Sequence, residues 1–415
     1  MASRIIFYSA LFYIVLAERV RYDDHALFKV HPLKFDHVEY LKQLYKKGEG
    51  LDFWIPPTAV GHNVSVVVTP EKRQEFEHSL AKRSISSEVV LENIQEAFDA
   101  QLFSRRKRST KKQLYWTAYQ TLDDIHEWFK HLAETHSDIV SVIDAGKSFQ
   151  GRDILGLKIS RKSSGRAFVL QGGEIGADWI SPVVITYIVD QLIKGEDPEA
   201  KTAAEEFEWH IFPVVNVDGF EYSENKERLW LKNRKPVTVS AIGVDLSKNW
   251  NSQWGVRGGS FTPSASNFIG LGPFSEPETR QVSHYIESIG HKLSGLLSFR
   301  AFGQRILIPF AHTNQPMYNY EEMIAVARRA VGSLSVKYNT QYLAGTSGVV
   351  SDGSTGTIAD WVKYRFNSPV VATFLLRDQG SAGYALPVDQ VQPTCEETYD
   401  AVMAVLREAK FTNVL

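Results

Sequence analysis

The sequence predicts an α/β protein whose mixed central sheet is flanked by helices, preceded by a small ferredoxin-like α+β domain. Three observations predict this. From about residue 113, strand-like runs alternate with amphipathic helices. Before that, residues from about 24 to 103 carry their own βαββαβ order. The chain is also long enough, at 415 residues with 43% hydrophobic and 23% charged, to build two compact cores. That composition excludes a collagen-like, coiled-coil or mainly disordered chain. The net charge of −2, from 46 basic and 48 acidic residues, gives no bulk field for nucleic acid. Cys395 is the single cysteine, so no intramolecular disulfide can form.

Residues 1–17 read as a secretory signal peptide. Arg4 supplies the positive start, Ile5 to Leu16 the apolar stretch, and Val15-Leu16-Ala17 the cleavage site. The apolar run, about 12 residues, is too short to span a membrane. Secretion into the extracellular space is therefore expected, and Asn63-Val64-Ser65 is a weak glycosylation signal at Asn63.

The small domain, residues 18–103, begins with a strand at Ala26 to Val30. Asp36 with Glu39 resembles a capping box, followed by Val38, Leu41, Leu44 and Tyr45 on one helical face. Strands follow at Leu51 to Ile55 and Val64 to Val68. Thr69-Pro70 opens a second helix to about Lys82, and Ser87 to Leu91 is the last strand. A helix from about Glu92 to Phe103 leads out.

Residues 104–112 hold the run Arg105-Arg106-Lys107-Arg108-Ser109-Thr110-Lys111-Lys112. A nucleic-acid tract conflicts with the signal pattern, and a solvated charge run is the plain alternative. The preferred reading is a protease-cleavable linker, cut after Arg108, since nicking concentrates between compact domains.

In residues 113–415, Thr121 caps a helix with Ile125, Trp128, Phe129 and Leu132 on its apolar face. Strands are predicted at Ile139 to Ile143, Ile154 to Ile159, Phe168 to Leu170, His210 to Val215, Gly295 to Phe299 and Val370 to Leu376. Helices are predicted after Ser181-Pro182, at Pro277 to Ile289, at Tyr320 to Leu334 and at Cys395 to Arg407. Sites in such sheets sit at the carboxyl ends of strands. No Gly-x-Ser-x-Gly elbow, Cys-His arrangement or His-Glu-x-x-His pair is present. His131 with Glu134, and His284 with Glu287, fall on predicted helices as ordinary surface pairs.

Several motifs in this half act together. They are Tyr115 to Leu122 with Ile125, Gly151-Arg152, Gly173 with Trp179-Ile180-Ser181-Pro182, and Pro213 with Asn216 and Asp218-Gly219-Phe220. Arg228-Leu229-Trp230, Gly243-Val244-Asp245-Leu246 with Asn249-Trp250, and Pro273 to Thr279 follow. Leu376-Arg377-Asp378 and Gly383-Tyr384 with Leu386-Pro387 complete the set. The chain closely resembles the zinc metallocarboxypeptidases of the pancreatic carboxypeptidase A and B type, with signal peptide, zymogen-like prodomain, basic linker and peptidase domain in that family's order.

The resemblance implies a zinc ion on a His-x-x-Glu segment and a distant His, with a glutamate as general base. It also implies that this member has lost them. The metal-ligand positions fall on Ile175, Asp178 and Arg300, and the general-base position on Leu375. An aliphatic side chain and a permanently charged guanidinium cannot ligate a cation. The arginine beside the Glu ligand is replaced by Ala177, and the oxyanion arginine by Leu231. The carboxylate-holding Asn-Arg pair becomes Ser247-Lys248, the mobile tyrosine position Asp352, and the residue setting side-chain preference Ala359. No cofactor is expected, although zinc is the family's. Asp178 and Arg300 face one vacated site and are expected to form a salt bridge, or Arg300 to point out into the groove. Lys248 and Arg300 would leave the groove able to hold a peptide's C-terminal carboxylate weakly. The reading is a catalytically inactive secreted protein that binds peptides or protein C-termini or acts as a regulator, with no nucleic-acid or membrane partner. The alternative is an active metallocarboxypeptidase with an atypical metal site.

Overall fold

In the computed structural model, residues 19–108, 113–162 and 165–415 are described, with side chains at 105–108 left aside. The signal-peptide stretch 1–17 and the end of the basic run, 109–112, lie outside the described residues.

The first domain runs β1 (Ala26–His31), α1 (Phe35–Lys47), β2 (Leu51–Ile55), β3 (Val64–Val68), α2 (Pro70–Lys82), β4 (Ser86–Leu91) and α3 (Ile94–Arg108). The sheet order is β2-β3-β1-β4, all pairs antiparallel. Phe28, Val30, Leu41, Val64, Val66, Phe76 and Leu80 fill its core. The Asp36–Glu39 capping box does not form. The helix starts two residues earlier, with Lys34 at the N-cap, so Asp36 lies inside the first turn and Glu39 pairs with Lys42 at 2.9 Å. Helix α3 continues through Arg108 instead of stopping at Phe103, because arginine and lysine are good helix formers and suit a helix C-terminus. Asn63 is half-buried, its Oδ1 2.7 Å from His31 Nδ1.

The second domain runs α4 (Leu122–Thr135), β5 (Val140–Lys147), β6 (Asp153–Ile159), β7 (Ala167–Gln171), α5 (Ile180–Lys194), α6 (Pro198–Glu206), β8 (Glu208–Phe212) and α7 (Val217–Asn225). Then come α8 (Pro277–Ile289), β9 (Leu293–Arg300), β10 (Arg305–Ile308), α9 (Tyr320–Tyr338), β11 (Leu343–Thr346), α10 (Ser347–Val350), α11 (Ile358–Phe366), β12 (Val370–Leu375) and α12 (Val391–Phe411). Among the described residues the sheet has eight strands, ordered β11-β10-β12-β9-β7-β8-β6-β5. β12, β9, β7 and β8 are parallel; β6, β5 and β10 add antiparallel pairs. Strand β8 ends at Phe212 rather than Val215, since Pro213 has no N–H to continue the ladder. Thr121 caps α4 in a complete capping box with Asp124. Buried Phe168, Trp209, Phe212, Phe220 and Phe299 lie in the core packed around the sheet.

The two domains share a seam. Leu27, Val67, Ile94 and Phe98 of the first form one apolar cluster with Ala385 of the second. Gln101 donates to the carbonyls of Tyr384 and Leu386, and Ser65 to that of Gly380. Trp54 meets Tyr384 and Phe302 edge-on, with ring centres 5.5 and 6.4 Å apart.

Candidate functional site

The carboxyl ends of β7, β9 and β12 lie side by side, and the site gathers there. The register pairs Arg300, at the end of β9, with Leu375, at the end of β12. After β7 the chain turns through Gly173 to Asp178 before α5 begins. Gly173 has φ 61°, and a Cβ there would lie 2.6 Å from the Pro213 carbonyl oxygen. Gly176 is packed as tightly, with Gly219 and Trp230 carbonyls 2.5 and 2.6 Å from where a Cβ would be. The Gly176 amide donates to the Leu231 carbonyl, which is how Leu231 meets the site.

Ile175 is buried and apolar. Asp178 is buried, and both its oxygens are given to backbone: Oδ1 accepts from Ser181 N at 3.1 Å, Oδ2 from Ala301 N at 2.8 Å. Burial pushes its carboxyl up despite those amides. The expected Asp178–Arg300 salt bridge does not form. Asp178 is committed to the amides of α5 and β9's end, and the Arg300 side chain turns to Ser247, with Nη2 donating to Oγ at 3.2 Å.

Arg300 faces three acids, and sequence reasoning missed one of them, Glu174. Burial alone would lower its pKa; the nearby charges of Glu174, Asp245 and Asp352 outweigh it, and the pKa is raised. Glu174 is buried beside Ile175, with Oε1 accepting from Trp250 Nε1 at 2.6 Å. Desolvation pushes it up to about 7, against the opposing pull of Arg300 and that hydrogen bond. The available signal was an acidic residue in an otherwise apolar or glycine stretch.

Ser247 and Lys248 form a short 3-10 turn with Leu246. Asp245 takes Ser247 N at 3.1 Å, Ser247 Oγ at 2.6 Å and Lys248 Nζ at 2.5 Å. Burial would raise Asp245, but the Lys248 charge and these bonds hold it below the usual range. Lys248 is thus part of a closed pair. Asp352 is exposed, and its carboxylate is occupied by Ser354 N and Oγ at 3.1 and 2.5 Å. Ala359 is buried in the first turn of α11.

Arg228, from the Arg228-Leu229-Trp230 motif, bolts the seam. It donates to Gln101 Oε1, Ala177 O and Tyr384 O at 3.1, 2.8 and 2.7 Å, with its guanidinium 3.6 Å from the Trp179 ring centre. Asp378, with φ 100°, accepts from the amides of Gly380, Ser381, Ala382 and Gly383 and so shapes the Tyr384 loop. The pairs His131–Glu134 and His284–Glu287 lie on α4 and α8; among the described residues no group of three or more His, Cys, Asp or Glu could hold a metal ion.

Residues 125–401 match the family model for zinc carboxypeptidases, and residues 28–101 the model for the carboxypeptidase activation peptide. The chain is 32% identical over 395 residues to Zinc carboxypeptidase A 1 of Anopheles gambiae, covering 95% of this chain and 91% of that one. It is 32% identical over 296 residues to Carboxypeptidase O of Homo sapiens, covering 70% and 79%. The crystal structure of thrombin activatable fibrinolysis inhibitor superposes with a TM-score of 0.87 at 25% identity, covering 94% of this chain and 99% of that one.

Proposed function

The chain belongs to the zinc carboxypeptidase family, and we propose that it is a secreted, catalytically inactive member that binds peptides or protein C-termini, or regulates, without cleaving them. One observation carries this reading: the centre of the site holds Arg300, a fixed cation, beside Leu375. The residues present do not fit a zinc ion. Ile175 offers no lone pair, Asp178 has given both oxygens to amides, and Arg300 brings a positive charge of its own. Leu375 cannot take a proton from water. General-base loss alone costs roughly 10²–10⁴ in rate.

A protein partner is a reasonable class of ligand, since a related chain has been solved with a tick carboxypeptidase inhibitor, at 29% identity over 72% of this chain and with a TM-score of 0.67. Among the described residues no helix is long and apolar enough to cross a membrane. Processing after Arg108 would separate the first domain covalently from the second.

The test is zinc content by mass spectrometry on secreted protein purified without chelators or a metal column. Folded protein with zinc near zero, and no release of C-terminal residues from peptides, is expected. Stoichiometric zinc would overturn the reading and favour an active enzyme.

A further inference from the structure

The site holds two cations, and they are not equivalent. Lys248 Nζ is held at 2.5 Å by Asp245, and both groups are buried. The guanidinium of Arg300 is engaged by one hydrogen bond among the described residues, the long contact to Ser247 Oγ at 3.2 Å. Its Nε is buried and meets no hydrogen-bond partner. Glu174 and Asp245 are near enough to act on its charge, yet neither bonds it: Glu174 Oε1 is on Trp250, and Asp245 is on Ser247 and Lys248. A buried guanidinium N–H left unmet is costly, and the planar fork matches a carboxylate in two-point geometry. Arg300 stays half-buried, so solvent reaches it with the first domain in place.

We propose that Arg300 is a carboxylate receptor at the carboxyl end of β9, taking the oxyanion through its free N–H groups, and that Lys248 takes no direct part. This rests on the inactive-member reading, because it needs the site free of metal. It also moves the receptor away from Lys248, where the family resemblance would put it.

The intact chain is titrated by calorimetry with N-acetyl-leucine, its amide, and N-acetyl-glutamic acid α-amide, whose carboxylate is on the side chain. N-acetyl-leucine is expected to bind at least about tenfold more tightly than its amide, the worth of a charge-assisted bond. Binding of the glutamic derivative at similar strength identifies any carboxylate as the ligand; its failure restricts the ligand to a C-terminus. Arg300→Gln is expected to abolish the difference between acid and amide, while Lys248→Gln changes acid binding by less than about twofold. Should Arg300→Gln not fold, Arg300→Lys keeps the charge, loses the fork, and is expected to weaken acid binding about tenfold. Equal affinity for acid and amide, or loss of binding in Lys248→Gln with Arg300→Gln unchanged, overturns the proposal. Zinc content separates the two readings: a zinc-free protein indifferent to carboxylates defeats this inference alone.

Discussion

The loop after β12 and the floor at the end of β9 are neighbouring polar places, and their polar atoms are met very differently. In the loop, Asp378 receives four backbone amides, and the Tyr384 carbonyl beyond it is held by Arg228 and Gln101. At the floor, Arg300 has a single long bond and an orphaned Nε. The loop's polar atoms are met by this network, while Arg300 keeps unmet hydrogen-bonding capacity. Buried polar groups are normally paired, and Arg300 Nε, unmet at the end of β9 beside the site's acids, is the exception the proposed ligand would bear on.

That contrast can be tested from the walls inward. The largest effect is expected from Arg228→Met, which removes the Arg228 donor from Gln101 Oε1 and Ala177 O and one of the two donors to Tyr384 O. The loss should be about 3–5 kcal/mol, since each buried oxygen left unmet costs about 1–3 kcal/mol, read as a lowered urea midpoint. A loss under about 1 kcal/mol would mean the seam is anchored elsewhere. Asp378→Ala removes the acceptor of four amides and should cost about 3 kcal/mol in the same measurement, since a buried amide left unmet costs about 1–3 kcal/mol.

Glu174→Gln probes the floor through pH. Glu174 in the folded chain is raised to about 7, above its ordinary value of 4.5. The folded state then holds the proton more tightly than the unfolded state. The stability it contributes is full below about pH 4.5 and is lost as pH rises through about 7. The wild type should lose about 2–3 kcal/mol more than Glu174→Gln between pH 4 and 8. Parallel stability curves for the two proteins would place Glu174 in solvent-like surroundings. The smallest effect is expected from Ile175→His: zinc content after dialysis should stay near zero, because Arg300 keeps its charge in the site. Zinc uptake by that variant alone would show that Arg300 does not exclude the ion.

Much of the molecule could be read before any coordinates. The period of 3.6 in Ile125, Trp128, Phe129 and Leu132 gave α4, and Pro277 marked the start of α8 where it is observed. Short β10 and β11 were missed; Arg305–Ile308 and Leu343–Thr346 have four residues each, too few for a pattern to stand out. Strand β8 was shifted because valines after Pro213 look like strand while the proline stops the ladder.

The sequence by itself determined which side chains stand at or just past the ends of the central strands, Ile175, Arg300 and Leu375 among them. Composition and order were sufficient for that, since residue chemistry does not depend on packing. Only the tertiary structure decided who pairs with whom. Asp178 turned to the Ala301 and Ser181 amides, Asp245 took Lys248, and Glu174 came to face Arg300 from a different loop. The Asp245–Lys248 and Asp178–Ser181 contacts are local, but the Asp178–Ala301 bond and the approach of Glu174 to Arg300 depend on distances of a few ångströms between segments far apart in the chain. No local pattern encodes those distances, because they are set by how the whole sheet and its loops close.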